Sequence, residues 1–413
     1  MADADTTIKT FEFKLRVNKK FVAACEKVLD DARDVYNAAL HQRINWYHHT
    51  FSRSINYVEQ SRQLTAAREL PEVGACLRNI QQDALEKLDE AFKAFFRRVK
   101  KGEKPGFPRF KGRARYHTFS QKIEKVRGCP LKGDKLTVPG VGSCRVRLSR
   151  PVEGTVKQLR ITRRADGWFV LLVCELPKPA LLPRTGDRVG IDVGLENFAT
   201  LSTGETIENP RHLRKAERRL QTAQRKVSRR KRGSHRRKKA VRELRLQHLT
   251  ISRQRKDFHF KTAKPMVEEF DTIAVEDLKI KNLVRNPHLA KSISDAGWGQ
   301  FLRILTVKAE SAGREIERVS PAFTSQDCSQ CGERVRKSLA MREHVCLVCG
   351  FVAHRDHNAA INVKARARRS NVSGTAEISQ PSALSGMGVV VPALPREPRT
   401  GKRRRKSLQA RSL

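Results

Sequence analysis

Acidic residues are scarce in this chain relative to basic ones. Its 413 residues include 85 Lys and Arg against 43 Asp and Glu, which gives a formal net charge of +42 at pH 7. Self-repulsion on this scale disfavours a compact state unless a polyanion is bound. A simple operator-binding module neutralises only about 6–10 phosphates, whereas a duplex of about 20 base pairs carries roughly 40. The surplus therefore predicts a long nucleic-acid partner.

The chain also lacks long apolar runs. No segment approaches the eighteen or so apolar residues needed to cross a membrane, and the first five residues have neither the basic start nor the apolar run of a signal peptide. Five of the nine cysteines are scattered through helix-like and strand-like segments, which argues for a reducing compartment. We therefore expect a soluble cytoplasmic protein with no membrane partner. The scattered cysteines are Cys25, Cys76, Cys129, Cys144 and Cys174.

The other four cysteines form two CxxC pairs in the last third of the chain, at Cys328, Cys331, Cys346 and Cys349. A glycine follows each pair at once and supplies the freely turning backbone that a metal-binding knuckle needs. Two such pairs can close a tetrahedral zinc site. The alternatives are a disulfide pair or four buried thiols. Four protein ligands leave no open position for chemistry, so we predict one structural Zn²⁺ ion.

The first 182 residues are predicted to form a β domain that is interrupted by helices. Residues 6–17 alternate in the manner of a strand. Residues 20–100 keep the spacing of amphipathic helices, the second strong one running from about Val73 to Val99. The loop at 104–111 is rich in Pro, Gly, aromatic and basic residues. It could clamp a nucleic-acid backbone or act as a stiff linker.

The second half of the chain alternates apolar strands with helices. Residues 188–195 and 271–278 predict buried strands. Between them, residues 211–264 predict two long helices joined near Gly233, dense in Lys and Arg and poor in acids. Charge this one-sided predicts a phosphate-facing surface rather than self-paired helices. The composition of residues 371–413 predicts a disordered basic tail.

Three carboxylates stand out against this pattern. Asp192 ends the first buried strand, Glu276 ends the second, and Asp356 opens the final helix. Each has an ordinary alternative: a turn acid, an exposed strand end with Asp277 capping the next helix, and a helix N-cap. Strand ends of an α/β sheet gather at one edge, where three acids would need cations to neutralise them. Two divalent ions about 4 Å apart would do so and would flank a phosphodiester.

These motifs resemble transposon-encoded TnpB proteins, the compact relatives of type V CRISPR effectors. The resemblance is carried by Gly-Ile-Asp-Val-Gly at 190–194, Val-Glu-Asp-Leu at 275–278, the paired CxxC motifs and Arg-Asp-His-Asn-Ala-Ala-Ile-Asn at 355–362. The loop at 106–111 also resembles that family's loop before the returning β domain. The resemblance covers nearly the whole chain to about residue 370 and is most specific in the C-terminal motifs.

The resemblance implies an α/β multidomain fold. Its parts are expected to be an RNase H-like RuvC nuclease domain (183–320 and 354–370) with the basic hairpin 211–264, a zinc-ribbon insert (321–353), an N-terminal β-barrel of wedge type (1–18 and 106–182) and a helical recognition region (19–105).

The resemblance also implies a function and its partners. Asp192, Glu276 and Asp356 would be the catalytic acids and would hold two Mg²⁺ ions. A guide RNA from the transposon end would direct cleavage of double-stranded DNA beside a short adjacent motif, in a prokaryotic cytoplasm and at the nucleoid. Two alternatives stay open: a guide-free transposase or structure-selective nuclease, and a noncatalytic nucleic-acid-binding regulator of transposition. The oligomeric state is also left open.

Overall fold

A computed structural model describes residues 5–49, 55–74, 76–123, 129–338 and 341–372. The described residues up to residue 368 belong to one compact unit. The tail predicted over 371–413 lies outside the described residues, apart from the two residues that end the last helix. None of the described helices has the length and apolar character that a membrane span requires.

The larger sheet is built from seven strands, which are β1 (Thr6–Arg16), β2 (Thr118–Lys122), β3 (Leu131–Lys132), β4 (Lys135–Val138), β5 (Gly142–Arg147), β6 (Thr155–Arg164) and β7 (Gly167–Pro177). Their spatial order is β2-β6-β7-β1-β5-β4-β3, and every pair is antiparallel. The alternation predicted at the N-terminus is confirmed in β1, where Phe11, Phe13 and Leu15 are buried. One face of this sheet therefore packs on a core.

The described residues between β1 and β2 form the helices α1 (Lys19–His49), α2 (Tyr57–Ala67), α3 (Pro71–Gly74) and α4 (Arg78–Lys100). Helices α1 and α4 share one hydrophobic core with the seven-stranded sheet, in which Leu29 and Leu88 are buried together with Phe119. The helix predicted to start near Val73 starts instead at Arg78. Residues 71–74 form the separate turn α3, and Leu77 is extended (φ −62°, ψ 127°), so the two segments cannot be one helix.

The smaller sheet has five strands, which are β8 (Arg188–Asp192), β9 (Asn197–Leu201), β10 (Thr206–Glu208), β11 (Thr272–Glu276) and β12 (Glu315–Val319). Their order is β10-β9-β8-β11-β12. Strands β8, β11 and β12 run parallel, whereas β9 pairs antiparallel with β8 and β10 pairs antiparallel with β9. Strand β11 is buried along its whole length, as a parallel strand covered on both faces should be.

Helices cover both faces of this smaller sheet. Helices α5 (His212–Ser228) and α6 (His235–Glu269) confirm the hairpin predicted around Gly233, and α7 (Ile280–Leu283), α8 (Pro287–Ala296) and α9 (Trp298–Ala312) follow β11. Helices α6 and α9 pack on the face that carries Ile191 and Ile273. The last helix, α10 (Arg355–Val372), packs on the opposite face, where Ala274 meets Val363. Adjacent residues of one strand therefore point to different helices.

A short hairpin precedes α10. It consists of β13 (Glu343–Val345) and β14 (Val352–His354), and β14 runs into α10 without a connecting loop. The backbone of α10 lies directly on β8 at Gly190. A Cβ atom added there would fall 2.1 Å from the Ala360 carbonyl oxygen and 2.5 Å from the Lys364 nitrogen. Only a residue without a side chain permits this approach.

We predict that Gly190→Ala lowers the thermal unfolding midpoint, because the new methyl group must push strand and helix apart at a cost of about 1–3 kcal/mol. Gly112→Ala is the control, since a Cβ at Gly112 meets no atom within 4 Å and its φ is not positive. Thermal unfolding of both variants is the measurement. Equal midpoints in the two variants would contradict the close packing of β8 on α10.

Candidate active site and metal centre

Two of the three predicted acids lie side by side at the end of the parallel strands. Ile191 of β8 is paired with Val275 of β11, and the next residues along the two strands are Asp192 and Glu276. Neighbouring strands lie about 4.8 Å apart. Both acids share the face of Gly190 and Ala274, because side chains two residues apart point the same way. That is the face on which α10 lies.

The third predicted acid reaches the same edge from α10. Asp356 lies in the first turn of the helix and is buried. Its Oδ2 atom is 3.7 Å from the position that a Cβ of Gly194 would occupy, just beyond the end of β8. The structure therefore brings Asp192, Glu276 and Asp356 to one edge of the sheet, as the sequence predicted.

The three carboxylates at this edge lie close enough for their negative charges to repel one another. Burial, and then the charges of Glu276 and Asp356, raise the pKa of Asp192 well above its ordinary value, while the Arg355 guanidinium acts in the opposite direction. Burial also raises the pKa of Glu276, partly offset by a hydrogen bond from Thr324. Carboxylates in this situation are stabilised in their charged form by a nearby cation.

Glu276 and Asp356 each have one carboxylate oxygen in a hydrogen bond. Thr324 donates its hydroxyl hydrogen to Oε1 of Glu276 (2.6 Å), and Arg355 donates Nε–H to Oδ1 of Asp356 (3.1 Å). Within the described part of the chain, no hydrogen bond is made to Oε2 of Glu276 or Oδ2 of Asp356. The set offers hard oxygen ligands of the kind that divalent cations such as Mg²⁺ prefer.

The carboxylates are spread more widely than the ligands of a single ion. Among the described residues, only the cysteine quartet brings three or more His, Cys, Asp or Glu ligand atoms within 4.8 Å of one another. A pair of divalent ions separated by about 4 Å accommodates such a wider spread of acids.

The cysteine quartet is built from two matching knuckles. In each, the first cysteine donates its N–H to the carbonyl five residues on, from Cys328 to Glu333 and from Cys346 to Phe351. Its carbonyl accepts from the glycine that follows the second cysteine, at 2.9 Å in both cases. These glycines have φ values of 81° and 73°, which a residue with a side chain rarely adopts.

The four sulfurs fit a zinc ion. The Sγ atoms of Cys328 and Cys349 are 3.6 Å apart, and those of Cys331 and Cys346 are 3.5 Å apart. Tetrahedral thiolates at 2.3 Å from zinc would be separated by about 3.8 Å. All four cysteines are free thiols, so the disulfide alternative is wrong. The quartet is a candidate zinc site of the closed, structural kind.

Helix α10 also makes hydrogen bonds to the segment around the first cysteine of the first knuckle. These contacts were not predicted from the sequence. Asn358 is fully buried, accepts from the Ser329 N–H (2.9 Å) and donates to the Asp327 carbonyl (2.9 Å). One turn on, Asn362 donates to the carbonyls of Thr324 and Asp327. The signal in the sequence is two asparagines at i and i+4, which share one face of a helix.

The basic hairpin of α5 and α6 is anchored by one buried acid. Asp295 of α8 accepts from the N–H groups of Leu213 (2.8 Å) and Arg214 (3.1 Å), the first turn of α5. Arg255 of α6 forms an ion pair with the same carboxylate (3.5 Å). Asp295 thus caps α5 and neutralises its N-terminal dipole while holding α6 beside it.

A cationic cleft lies between the first half of α6 and the seven-stranded sheet. Its walls come from the loop before β2, the β6–β7 hairpin and the first half of α6. One acid, Glu26, lies among the lining residues and pairs with Arg163. The basic lining residues are Arg113, Arg163, Arg164, Arg237, Lys238, Arg242 and Arg245. A cleft of this charge favours a phosphate backbone as its occupant.

We predict that Cys328→Ser lowers the zinc content of the purified protein and its thermal midpoint. Structural zinc contributes about 10–16 kcal/mol to the folding of small modules, and one lost thiolate opens the site. Cys129→Ser is the control, because Cys129 is exposed and lies outside the quartet. Elemental analysis of both variants is the measurement. Unchanged zinc in Cys328→Ser would contradict ligation by four thiolates.

Comparisons with known proteins give matches along most of the chain. Residues 171–287 match the family described as "Probable transposase" (OrfB_IS605), and residues 298–363 match the family described as "Cas12f1-like, TNB domain". A solved structure of a Cas12f1–sgRNA–target DNA complex has a similar fold. Its TM-score is 0.57 at 13% sequence identity, and the alignment covers 87% of this chain and 99% of that one.

Two relatives align along most of their length. A Streptomyces pristinaespiralis protein, provisionally named an RNA-guided DNA endonuclease, is 34% identical over 380 residues, which are 89% of this chain and 91% of that protein. InsQ of Escherichia coli K12, provisionally named in the same way, is 28% identical over 87% of this chain and 92% of its own. Because it is 34% identical to the Streptomyces protein over 89% of its length, the chain belongs to the transposon-encoded TnpB family.

Proposed function

We propose that this protein is an RNA-guided DNA endonuclease that hydrolyses phosphodiester bonds at the edge formed by Asp192, Glu276 and Asp356. The observation that carries the proposal is the convergence of these three carboxylates on one face of the five-stranded sheet, close enough for two of them to raise the pKa of the third. Crowding of this kind disfavours folding unless a ligand compensates for it. The names of the two relatives supply the expected chemistry.

The strand arrangement supports an RNase H-like RuvC domain. Three antiparallel strands followed by two parallel ones, in the order β10-β9-β8-β11-β12, place the acids of β8 and β11 at the centre of the sheet. The domain would comprise residues 183–320 and 354–370. The zinc-ribbon insert, residues 321–353, would then interrupt it immediately before the helix that carries Asp356.

The three acids would hold two Mg²⁺ ions. When bound, the ions would supply a nucleophile from water and stabilise the charge on the leaving oxygen. The chain's own contribution is placement: β8 and β11 fix two carboxylates at adjacent positions, and α10 brings in the third. The Arg355 guanidinium beside Asp356 would help to attract the phosphate while it orients the carboxylate.

The rest of the chain would hold nucleic acid. The cationic cleft between α6 and the seven-stranded sheet would receive a guide RNA or its duplex with the target DNA strand. The seven-stranded sheet would act as the wedge-type β domain (1–18 and 106–182), with α1–α4 as the recognition region (19–105). Target DNA would be double-stranded and genomic, so the protein would act at the nucleoid.

The guide is tested by sequencing the RNA that copurifies with the protein. We predict that protein expressed with its native flanking DNA carries one defined RNA whose end is variable in sequence. That RNA then serves as guide in a cleavage assay with Mg²⁺ on matched and mismatched duplexes. Heterogeneous RNA, or equal cutting of both duplexes, would favour a guide-free nuclease on the same core instead.

We predict that Glu276→Ala abolishes cleavage while binding of guide RNA and target DNA stays nearly unchanged. The change removes an oxygen ligand but no phosphate contact. Asp277→Ala is the matched control at the next position, because the Asp277 side chain is 44% exposed and pairs with Lys279 (2.6 Å). Cleavage rates and binding isotherms of both variants are the measurements. An active Glu276→Ala enzyme would remove this residue from the mechanism.

Asp192→Ala is expected to behave in the same way as Glu276→Ala, because both acids lie on the same face of adjacent strands. Loss of cleavage together with loss of nucleic-acid affinity would point instead to a folding defect. Zinc content and thermal midpoint, measured in the same preparations, separate these two results.

A further inference from the structure

A single hydroxyl group connects the zinc knuckle to the carboxylate edge. Thr324 lies four residues before Cys328 and is 4% exposed. Its Oγ1 atom is 2.6 Å from Oε1 of Glu276 and 3.2 Å from the Pro321 carbonyl oxygen. A hydroxyl has one hydrogen to donate, and the shorter contact to an ionised carboxylate is the stronger. Thr324 therefore donates to Glu276.

The backbone before Thr324 adopts an unfavourable conformation. Phe323 has φ 63°, one of two positive values at non-glycine positions in the described part of the chain. Backbone strain at such a residue persists where the surroundings enforce it and is concentrated at functional sites. Here the Phe323 carbonyl accepts the N–H groups of Gln326 and Asp327, both at 2.9 Å, and the Arg334 guanidinium lies 3.7 Å from the Phe323 ring centroid. The resulting reversal turns Thr324 inward.

Helix α10 fixes the same segment from the other side. Asn362 donates to the Thr324 carbonyl (2.9 Å), and Arg366 donates to the carbonyls of Ser320 (2.9 Å) and Ala322 (2.7 Å). Asn358, Asn362 and Arg366 are spaced by four residues along the helix that begins beside Asp356. One helix thus holds Asp356 directly and holds Glu276 through Thr324.

We infer that Thr324 is a positioning residue for the metal-binding carboxylate of Glu276. Its hydroxyl donates to Oε1 and fixes the side-chain rotamer, so that Oε2 would be available to a divalent ion bound at this edge. The zinc knuckle and α10 hold the Thr324 backbone in place, so that a structural metal site supports the geometry of a catalytic one. This inference rests on the proposed nuclease site. Hydrogen bonds to the far oxygen of a ligating carboxylate orient it and tune its affinity for metal.

The test compares Thr324→Val, which keeps the shape and removes the hydroxyl, with Thr324→Ser, which keeps the hydroxyl. Ser325→Ala is the matched control for removing a neighbouring hydroxyl. Each protein, with its bound RNA, is titrated with Fe²⁺ in ascorbate and peroxide. Radicals formed at the bound iron cut the nearby backbone, and cuts around residues 192, 276 and 356 report occupancy of this edge without DNA cleavage. The Mg²⁺ requirement for DNA cleavage is measured in parallel.

We expect Thr324→Val to need about 10- to 100-fold more Fe²⁺ for half-maximal cutting. Its Mg²⁺ requirement should rise in the same proportion, while the rate at saturating Mg²⁺ approaches that of the wild type. Thr324→Ser and Ser325→Ala should stay close to the wild type. A Thr324→Val protein with unchanged Fe²⁺ and Mg²⁺ dependence would overturn the inference.

Two further results have distinct meanings. Loss of zinc from Thr324→Val, with normal zinc in Thr324→Ser, would show that the hydroxyl serves folding, and would also overturn the inference. Absence of cuts at this edge in the wild-type protein would instead overturn the proposed metal site itself. Asp192→Ala, which removes a proposed ligand, provides the reference for that second result.

Discussion

The direct contact between strand β8 and helix α10 is the constraint on which the candidate active site depends. At Gly190 the helix backbone comes so close to the strand that there is no room for a side chain. This approach places the first turn of α10 beside the end of β8, so that Asp356 meets Asp192 and Glu276 on one face. The same closeness concentrates negative charge in a buried place, which is unfavourable without cations. The close packing of β8 on α10 and the crowding of the three acids therefore have one origin.

The two cysteine knuckles extend this framework. Matching backbone turns bring their four cysteines together, and the chain on either side runs directly to the carboxylate edge. The segment before the first knuckle carries Thr324 to Glu276, and β14 after the second runs into Asp356 and α10. The insert thus acts as a brace for two acids that belong to distant parts of the sequence.

Much of the site could be predicted from sequence because its signals are local. Apolar strands ending in an acid predicted that Asp192 and Glu276 lie at one edge, and CxxC spacing predicted the cluster of four cysteines. The small residues Gly190 and Ala274, two positions before those acids, mark the face that receives α10. Contacts between residues far apart in the sequence could not be predicted in this way. The contacts of Thr324, Asn358 and Asn362 depend on which segment α10 meets. Local patterns marked the apolar faces of α1, α4 and β1, but not that these faces pack into one core.

The proposed nuclease activity depends on divalent ions bound between Asp192, Glu276 and Asp356. Their binding can be measured in crystals of the protein with its bound nucleic acid, soaked in Mn²⁺ and measured at the manganese absorption edge. We expect two anomalous peaks about 4 Å apart, in contact with the three carboxylates. Anomalous density elsewhere and none at this edge, from a preparation that cleaves DNA with Mn²⁺, would contradict it.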